Sequence, residues 1–118
     1  MVRRSQPDTR YVPERGDAIW LTFDPQAGHE QAGRRPAVVL SPKSYNGKTG
    51  LALVCHITSQ SKGYPFEVDI PSGCDVTGSV LADQIRNLDW RARKAVRICA
   101  LPVSTVNEVV GKARVLLE

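Results

Sequence analysis

Residues 16–40 read GDAIWLTFDPQAGHEQAGRRPAVVL, and this stretch predicts two strands joined by a loop. From Ile19 to Phe23 a large apolar side chain stands at every second position, which is the period of a strand with one strongly apolar face. Residues 36–40 are a continuous apolar run led by a proline, which is typical of a buried strand. The loop between them has glycines and only alanine as an apolar side chain, so we expect little packing to hold it. The rest of the chain is interpreted as support for this stretch.

Further strands are predicted downstream, at residues 51–57, 64–70, 79–85 and 95–100. Residues 41–50, with turn formers such as Asn46-Gly47, predict a connection with at most one helical turn, at residues 43–45. Near the C-terminus apolar side chains follow the i, i+3, i+4, i+7 rule of an amphipathic helix, and Thr105 with Glu108 fits a capping box. Short strands followed by one helix predict a mainly β fold, a small barrel or strongly curled sheet with the helix packed on or beside it.

A length of 118 residues leaves room for one domain, which we expect to span residues 1–118 with a loose lead-in at residues 1–10. The hydrophobic share of 42% and the charged share of 24% are those of an ordinary soluble protein. No apolar run approaches the roughly 18 residues that span a bilayer, and no secretory signal is recognisable. The sequence therefore predicts a cytoplasmic protein without membrane association. Three widely spaced cysteines predict reduced, mostly buried thiols rather than disulfides or a zinc ribbon.

A formal net charge of +4 favours an anionic partner, such as nucleic acid, an acidic protein segment or a phosphorylated ligand. The charge is uneven, because residues 86–97 contain five basic side chains and one acidic side chain. A solvated basic face without any ligand stays open as the alternative.

The motifs do not indicate metal or nucleotide chemistry. His29 and His56 are the only histidines, they are not spaced as an i, i+4 pair, and no carboxylate cluster accompanies them. Phosphate-cradling loops and a Gly-x-Ser-x-Gly elbow are also absent from the sequence. We therefore predict neither a metal site nor a cofactor.

The remaining chemistry is acid, base and cation, the set that cleaves RNA through its own 2′-hydroxyl group. Glu30 can take the hydroxyl proton, and the planar guanidinium of Arg35 matches phosphate oxygens. Hydroxyl and backbone donors at Thr58 and Ser59 complete an anion site at the end of a buried strand. The alternatives stay open at this point: Glu30 as a solvated loop charge, Arg35 paired to a carboxylate such as Asp24, and Thr58-Ser59 as a simple strand end.

The chain closely resembles the MazF toxins, of the wider PemK/Kid/CcdB superfamily, in three segments. These are residues 10–50 (RYVPERGDAIWLTFDPQAGHEQAGRRPAVVLSPKSYNGKTG), residues 58–68 (TSQSKGYPFEV) and residues 81–93 (LADQIRNLDWRAR). The resemblance implies an SH3-like barrel with a C-terminal helix. It also implies a ribosome-independent, metal-independent endoribonuclease that cuts single-stranded mRNA at short motifs, an ACA-like triplet being the first expectation, and leaves 2′,3′-cyclic phosphate and 5′-hydroxyl ends.

Partners follow from the same resemblance. It implies a homodimer with a substrate groove across the subunit interface. It further implies a MazE-like antitoxin whose acidic, flexible tail occupies that groove, in a larger toxin–antitoxin complex that binds DNA.

The resemblance assigns residues by position. The catalytic glutamate and arginine of the family fall on Glu30 and Arg35, and its strand-end pair falls on Thr58 and Ser59. The positions suited to RNA contact are Gln60, Lys62, Asp83, Gln84 and Arg86. His56 departs from the pattern, where relatives have a small residue or proline, and we interpret it as a strand residue rather than a third titrating group.

Two other functions compete with this one. A CcdB-like poison on the same fold would act without catalysis, by binding a protein such as DNA gyrase. A catalytically silent RNA-binding barrel would act as a regulator. Glu30 and Arg35 favour the nuclease, because a protein-binding poison needs neither.

Overall fold

The computed structural model describes residues 10–23 and 33–118, and these form six β-strands and two α-helices. The strands are β1 (Asp17–Thr22), β2 (Arg34–Val39), β3 (Leu51–Thr58), β4 (Glu67–Asp69), β5 (Ser79–Asp89) and β6 (Val96–Ala100), and the helices are α1 (Lys43–Thr49) and α2 (Val103–Val115). The strands form one antiparallel sheet in the order β4-β5-β3-β2-β1-β6. This confirms the predicted mainly β fold with a C-terminal helix, although within the described residues the edge strands β4 and β6 do not pair to close a barrel.

Two apolar clusters pack against the sheet. In β1, Ala18 belongs to one cluster while Ile19 and Leu21 belong to the other. Since neighbouring residues of a strand point to opposite faces, the two clusters lie on opposite faces of the sheet. Val106 and Val109 of α2 belong to the first cluster, so burial of its apolar face attaches the predicted amphipathic helix to the sheet.

Two strand boundaries differ from the sequence prediction. Of the strand predicted at residues 64–70, only β4 forms a strand. The carbonyl of Tyr64 accepts a hydrogen bond from Glu67 N at 2.9 Å, which closes a turn directly before β4. The strand predicted to end at residue 85 continues to Asp89, which pairs with Leu51 of β3. Pairing with β3 therefore extends β5 beyond the predicted end.

The predicted capping box is wrong. Helix α2 begins at Val103, directly after Pro102, and no side chain caps it. Thr105 is buried inside the first turn, so it cannot serve as the capping residue for Glu108. A proline has no N–H group to satisfy, and here it sets the start of the helix.

Asn46 explains why residues 41–50 contain a seven-residue helix rather than a simple turn. Its side chain is fully buried, donates from Nδ2 to the carbonyls of Pro13 at 2.8 Å and Ser41 at 3.1 Å, and accepts from Ser41 Oγ at 2.6 Å. Its backbone carbonyl accepts a hydrogen bond from Trp90 Nε1 at 3.0 Å, which holds this tryptophan in the core.

The cysteines are free thiols, of which Cys55 is buried and Cys74 and Cys99 are half-buried. Burial, and then the charge of Asp83, raise the pKa of Cys55 to about 12, so it remains a thiol at neutral pH. In the described part of the chain no helix is long and apolar enough to cross a membrane.

The end of β3 packs closely against Gly78. This glycine has φ +116°, and a Cβ atom at its position would overlap the carbonyl oxygen of Thr58. A register shift between Cys55 and Ile57 also interrupts the regular pairing of β3 with β5. Both features fix the backbone at the strand end where the sequence predicts a site.

Gly78→Ala is expected to lower the free energy of unfolding by about 2–4 kcal/mol, because strain at positive φ is added to a clash with backbone. Urea unfolding measures the change. Gly73→Ala is the matched control: its φ is +96° and nothing lies within 4 Å of the added Cβ, so only the backbone strain of about 1–2 kcal/mol remains. Equal losses in the two variants would contradict the close approach of Gly78 to Thr58.

Candidate functional site

An open groove crosses β1, β2, β3 and β5. Its first cavity has a volume of about 730 Å³ and is lined by residues that include Trp20, Arg35 and Thr58. A second cavity of about 350 Å³ shares Thr58, Gln60 and Gln84 with the first, so the two form one continuous groove.

The structure brings most of the predicted site residues to this groove. The first cavity is lined by Arg35, Thr58, Ser59, Gln60 and Gln84, and the second adds Lys62 and Asp83. Arg86 lines neither cavity, and its guanidinium lies 5.7 Å from the centre of the Phe23 ring. Glu30 lies outside the described residues.

Two adjacent arginines at the start of β2 have different surroundings. Arg34 donates from Nη1 to Thr22 Oγ1 at 2.9 Å and to the carbonyl of Lys94 at 2.9 Å, and burial lowers its pKa. Arg35 is exposed and lines the first cavity. Arg34 therefore fixes the strand to its neighbours, whereas Arg35 is exposed in the groove and has no hydrogen-bond acceptor among the described residues. The alternative pairing of Arg35 with Asp24 lies outside the described residues.

Strand register places Arg35 close to the end of β3. Ala37 pairs with His56, so Arg35, two residues before Ala37, faces the segment of β3 that ends at Thr58. Side chains two residues apart along one strand lie on the same face, and directly paired side chains of neighbouring antiparallel strands also share a face. At Thr58, Oγ1 accepts a hydrogen bond from the Gln60 backbone at 3.1 Å, which orders the turn that follows β3.

His56 lines the first cavity and stacks on Phe23, with 4.5 Å between the ring centres. Its pKa is lowered by burial, then by the charge of Arg86, then by that of Arg35. The imidazole is therefore neutral at pH 7. It is also part of the groove wall, which the interpretation as a simple strand residue did not anticipate.

Asp83 has one satisfied carboxylate oxygen and one unsatisfied oxygen. Oδ2 accepts a hydrogen bond from the Tyr64 hydroxyl at 2.8 Å, while Oδ1 is buried and has no hydrogen-bond partner in the part of the chain that the structure describes. This hydrogen bond places Tyr64 in the wall of the second cavity.

Several lining residues were not identified from the sequence. Arg34, Asp75 and Thr77 line the first cavity, and Tyr64 lines the second. Asp75 and Thr77 lie in a polar turn far along the chain from β2, and no local pattern connects the two segments. In residues 10–23 and 33–118, no group of three or more His, Cys, Asp or Glu side chains is arranged to hold a metal ion.

Comparisons with known proteins agree with this architecture. A sequence profile for the PemK-like, MazF-like toxins of type II toxin–antitoxin systems matches residues 14–117. The endoribonuclease toxin MazF of Escherichia coli strain K12 is 50% identical over 109 residues, which cover 92% of this chain and 97% of that protein.

Two crystal structures from Deinococcus radiodurans are similar to the whole fold. Its MazF superposes with a TM-score of 0.82 at 56% identity, covering 91% of this chain and 97% of that one. Its MazE–MazF complex gives a TM-score of 0.81 at 50% identity, covering 91% of this chain and 96% of the matched chain.

The fold is a small antiparallel β-sheet with a C-terminal helix and an exposed arginine in an open groove, and the relatives that share it are toxins. The chain belongs to the PemK-like, MazF-like toxins of type II toxin–antitoxin systems.

Arg86→Gln is expected to raise the pKa of His56 but to leave it below its ordinary value, because burial is the larger cause and remains. The imidazole ring protons report this pKa in an NMR titration. Because folding lowers the pKa of His56, its contribution to the free energy of unfolding is complete above the ordinary pKa of histidine. That contribution decreases as the pH falls through the lowered pKa of the folded protein.

Arg91→Gln is the control for the Arg86 variant. It removes the same charge from a guanidinium that stacks on Trp90, 4.7 Å from the ring centre, and that does not act on His56. An unchanged pKa in Arg86→Gln, or an equal shift in both variants, would contradict the assignment.

Proposed function

We propose that this chain, as a single domain, is the endoribonuclease toxin of a toxin–antitoxin module and cuts single-stranded mRNA in the cytoplasm. Family membership supports the class, since relatives with 50% and 38% identity are named endoribonucleases. The structural observation that carries the proposal is the exposed guanidinium of Arg35 in a groove that continues past Thr58 to polar side chains. A CcdB-like poison of DNA gyrase is not favoured by these relatives.

The reaction is transfer of the phosphodiester to the neighbouring 2′-oxygen. Glu30 takes the proton of the 2′-hydroxyl, the 2′-oxygen bonds to phosphorus, and the bond from phosphorus to the 5′-oxygen breaks. The leaving 5′-oxygen takes up a proton, so the products are a 2′,3′-cyclic phosphate and a 5′-hydroxyl. Arg35 stabilises the negative charge on the non-bridging oxygens, and Thr58 and Ser59 donate to the same phosphate.

Arg35 suits charge stabilisation better than proton donation. A guanidinium keeps its proton far above neutral pH, but its planar fork donates two parallel hydrogen bonds to a phosphate. The neighbouring Arg34 is held by protein acceptors and is assigned no such role.

Sequence is read by the residues beyond the scissile phosphate. Gln60, Lys62, Asp83 and Gln84 line the second cavity, where amide, ammonium and carboxylate groups meet the edges of unpaired bases. Arg86, near Phe23, adds positive charge close to the first cavity. An unpaired strand fits such a groove, because its bases are free to leave the stack.

The protein partner proposed for the groove is a MazE-like antitoxin. Relatives at 50% and 48% identity have been solved as MazE–MazF complexes. A flexible acidic tail would place carboxylates where RNA places phosphates, so it would compete with the substrate for Arg35 and Lys62. We propose that the toxin is a homodimer in this complex, which also binds DNA through the antitoxin.

Cleavage is tested with purified protein and long single-stranded RNA in EDTA. We expect cuts at a short sequence motif, with 5′-hydroxyl ends and 2′,3′-cyclic phosphate ends, because no step uses a metal ion. End mapping by selective ligation and phosphatase treatment identifies the products. Intact RNA would overturn the nuclease, and binding without cutting would indicate a silent RNA-binding regulator.

Arg35→Ala is expected to lower kcat/KM by at least about 10²-fold, as removal of a charge-stabilising donor commonly does. Its free energy of unfolding should change little, because the side chain is exposed. Arg114→Ala is the matched control, since it removes the same charge from an exposed position of α2 far along the chain from the groove residues. Similar activity in the two variants would remove Arg35 from the catalytic set.

A further inference from the structure

Residues 59–66, which we call the strap, join β3 to β4 without helix or strand structure. The strap carries Gln60, Lys62 and Tyr64, which line the second cavity. Its last residue, Phe66, accepts a backbone hydrogen bond from Ala82 N at 3.0 Å. A segment with so few backbone bonds depends on side-chain contacts for its position.

Glu67 holds the middle of the strap. Its carboxylate accepts hydrogen bonds from the backbone N–H groups of Lys62 and Gly63, each at 3.1 Å. Gly63 has φ +74°, so the chain turns in the left-handed region directly after the two N–H groups that bind this carboxylate. The backbone that carries the Lys62 ammonium is thereby fixed.

Two further side-chain bonds fix the strap to the sheet. The Tyr64 hydroxyl donates to Asp83 Oδ2 at 2.8 Å. Ser61 and Ser79 are joined through their hydroxyl groups by a short hydrogen bond, and Ser79 Oγ donates to Asp69 Oδ1 at 2.7 Å.

Lys112 holds the end of the strap from a different element. From helix α2, its ammonium donates to the carbonyls of Pro65 at 2.8 Å and Glu67 at 2.9 Å. It also forms an i, i+4 ion pair with Glu108 at 3.8 Å. Lys112 lines neither cavity, so it is not placed to contact a ligand of the groove itself.

Lys112 and the strap are connected through Glu67. The backbone carbonyl of Glu67 accepts from Lys112, and its side chain accepts from Lys62 and Gly63. A lysine on the C-terminal helix thus fixes the residue that orders the groove wall. The burial of α2 against the first apolar cluster gives this contact a rigid base.

We propose that Lys112 is a positioning residue for RNA recognition, holding the strap so that Lys62 and Tyr64 meet the substrate in a fixed arrangement. The identity of the ligand rests on the proposed function above. Because Lys62 and Tyr64 line only the second cavity of the two, whereas Arg35 lines the first, loss of Lys112 affects substrate binding and site selection more than the chemical step.

The test compares Lys112→Met with Lys48→Met. Both remove one ammonium and keep an unbranched side chain, but Lys48 is exposed in the last turn of α1 and does not contact the strap. For Lys112→Met we expect KM on a single-site RNA oligonucleotide to rise about 10-fold, the scale of a lost charged hydrogen bond, with kcat within about twofold. We also expect additional cut sites on long RNA, and substantial rescue by Lys112→Arg, which keeps donors for both carbonyls.

A second variant keeps the inference testable if Lys112→Met does not fold. Glu67→Gln removes the carboxylate that binds the strap, and it should raise KM and speed amide hydrogen exchange at Lys62 and Gly63. The inference is overturned if Lys112→Met has the same KM and cut sites as Lys48→Met, or if its loss of activity lies in kcat alone. If Lys112→Met does not fold, the inference is overturned when Glu67→Gln leaves both KM and amide exchange unchanged.

Binding of the same oligonucleotide, measured by fluorescence anisotropy, separates this inference from the nuclease. Wild-type protein that binds RNA but does not cut it would overturn the nuclease, and weaker binding by Lys112→Met than by Lys48→Met would still support the positioning role. Equal binding by the two variants would overturn that role whether or not the wild type cuts RNA.

Discussion

The buried amide of Asn46 is the interaction on which the arrangement of the strands depends. It joins the segment before β1 to the β2–α1 junction, through Pro13 and Ser41, and the backbone carbonyl of the same residue binds Trp90, the residue after β5. Ser41 Oγ, which donates to this amide, also accepts a hydrogen bond from Leu53 N at 2.9 Å. The bonds of the Asn46 side chain to Pro13 and Ser41 are buried, so an apolar replacement of Asn46 would leave their donor and acceptors unpaired rather than merely remove one bond.

This network has a functional consequence because it sets where β3 starts beside β2. The side chains of a strand change face when its register slips by one residue, so the start of β3 decides which residues face Arg35. Leu40 N donates to the carbonyl of Leu53 at 2.8 Å, next to the bond from Ser41, and fixes that register. At the other end of β3, Gly78 packs against the Thr58 carbonyl. Strand β3 is therefore held at both ends, and the groove lies beside the end at Thr58.

Secondary structure could be predicted from the sequence where hydrophobic periodicity determines it. The prediction failed where contacts between distant parts of the chain determine the structure. The alternation around β1 and the stripe of α2 were sufficient to predict both elements, because each buries one apolar face. Asn46-Gly47 has the composition of a turn, yet burial of Asn46 places it in α1, and no local pattern reports that burial. Arg35 was a candidate from its chemistry and from family resemblance. Its difference from Arg34 could not be predicted, because Arg34 is held by the carbonyls of residues 93 and 94, which lie about sixty positions away. The roles assigned to the site residues, including Glu30, remain predictions.

The way in which basic side chains are held explains how the protein keeps positive charge near the groove. Arg34 and Arg93 donate mainly to backbone carbonyls and a hydroxyl, which are neutral acceptors. An arginine bound to a carboxylate loses most of its long-range field, whereas one bound to carbonyls keeps its net charge. Arg97 shows the contrast, since it pairs with the buried carboxylate of Asp17 at 3.4 Å. The same arginines that stabilise the structure therefore keep a positive field, which favours an anionic ligand. An uncharged donor could satisfy the same carbonyls but would not supply that field.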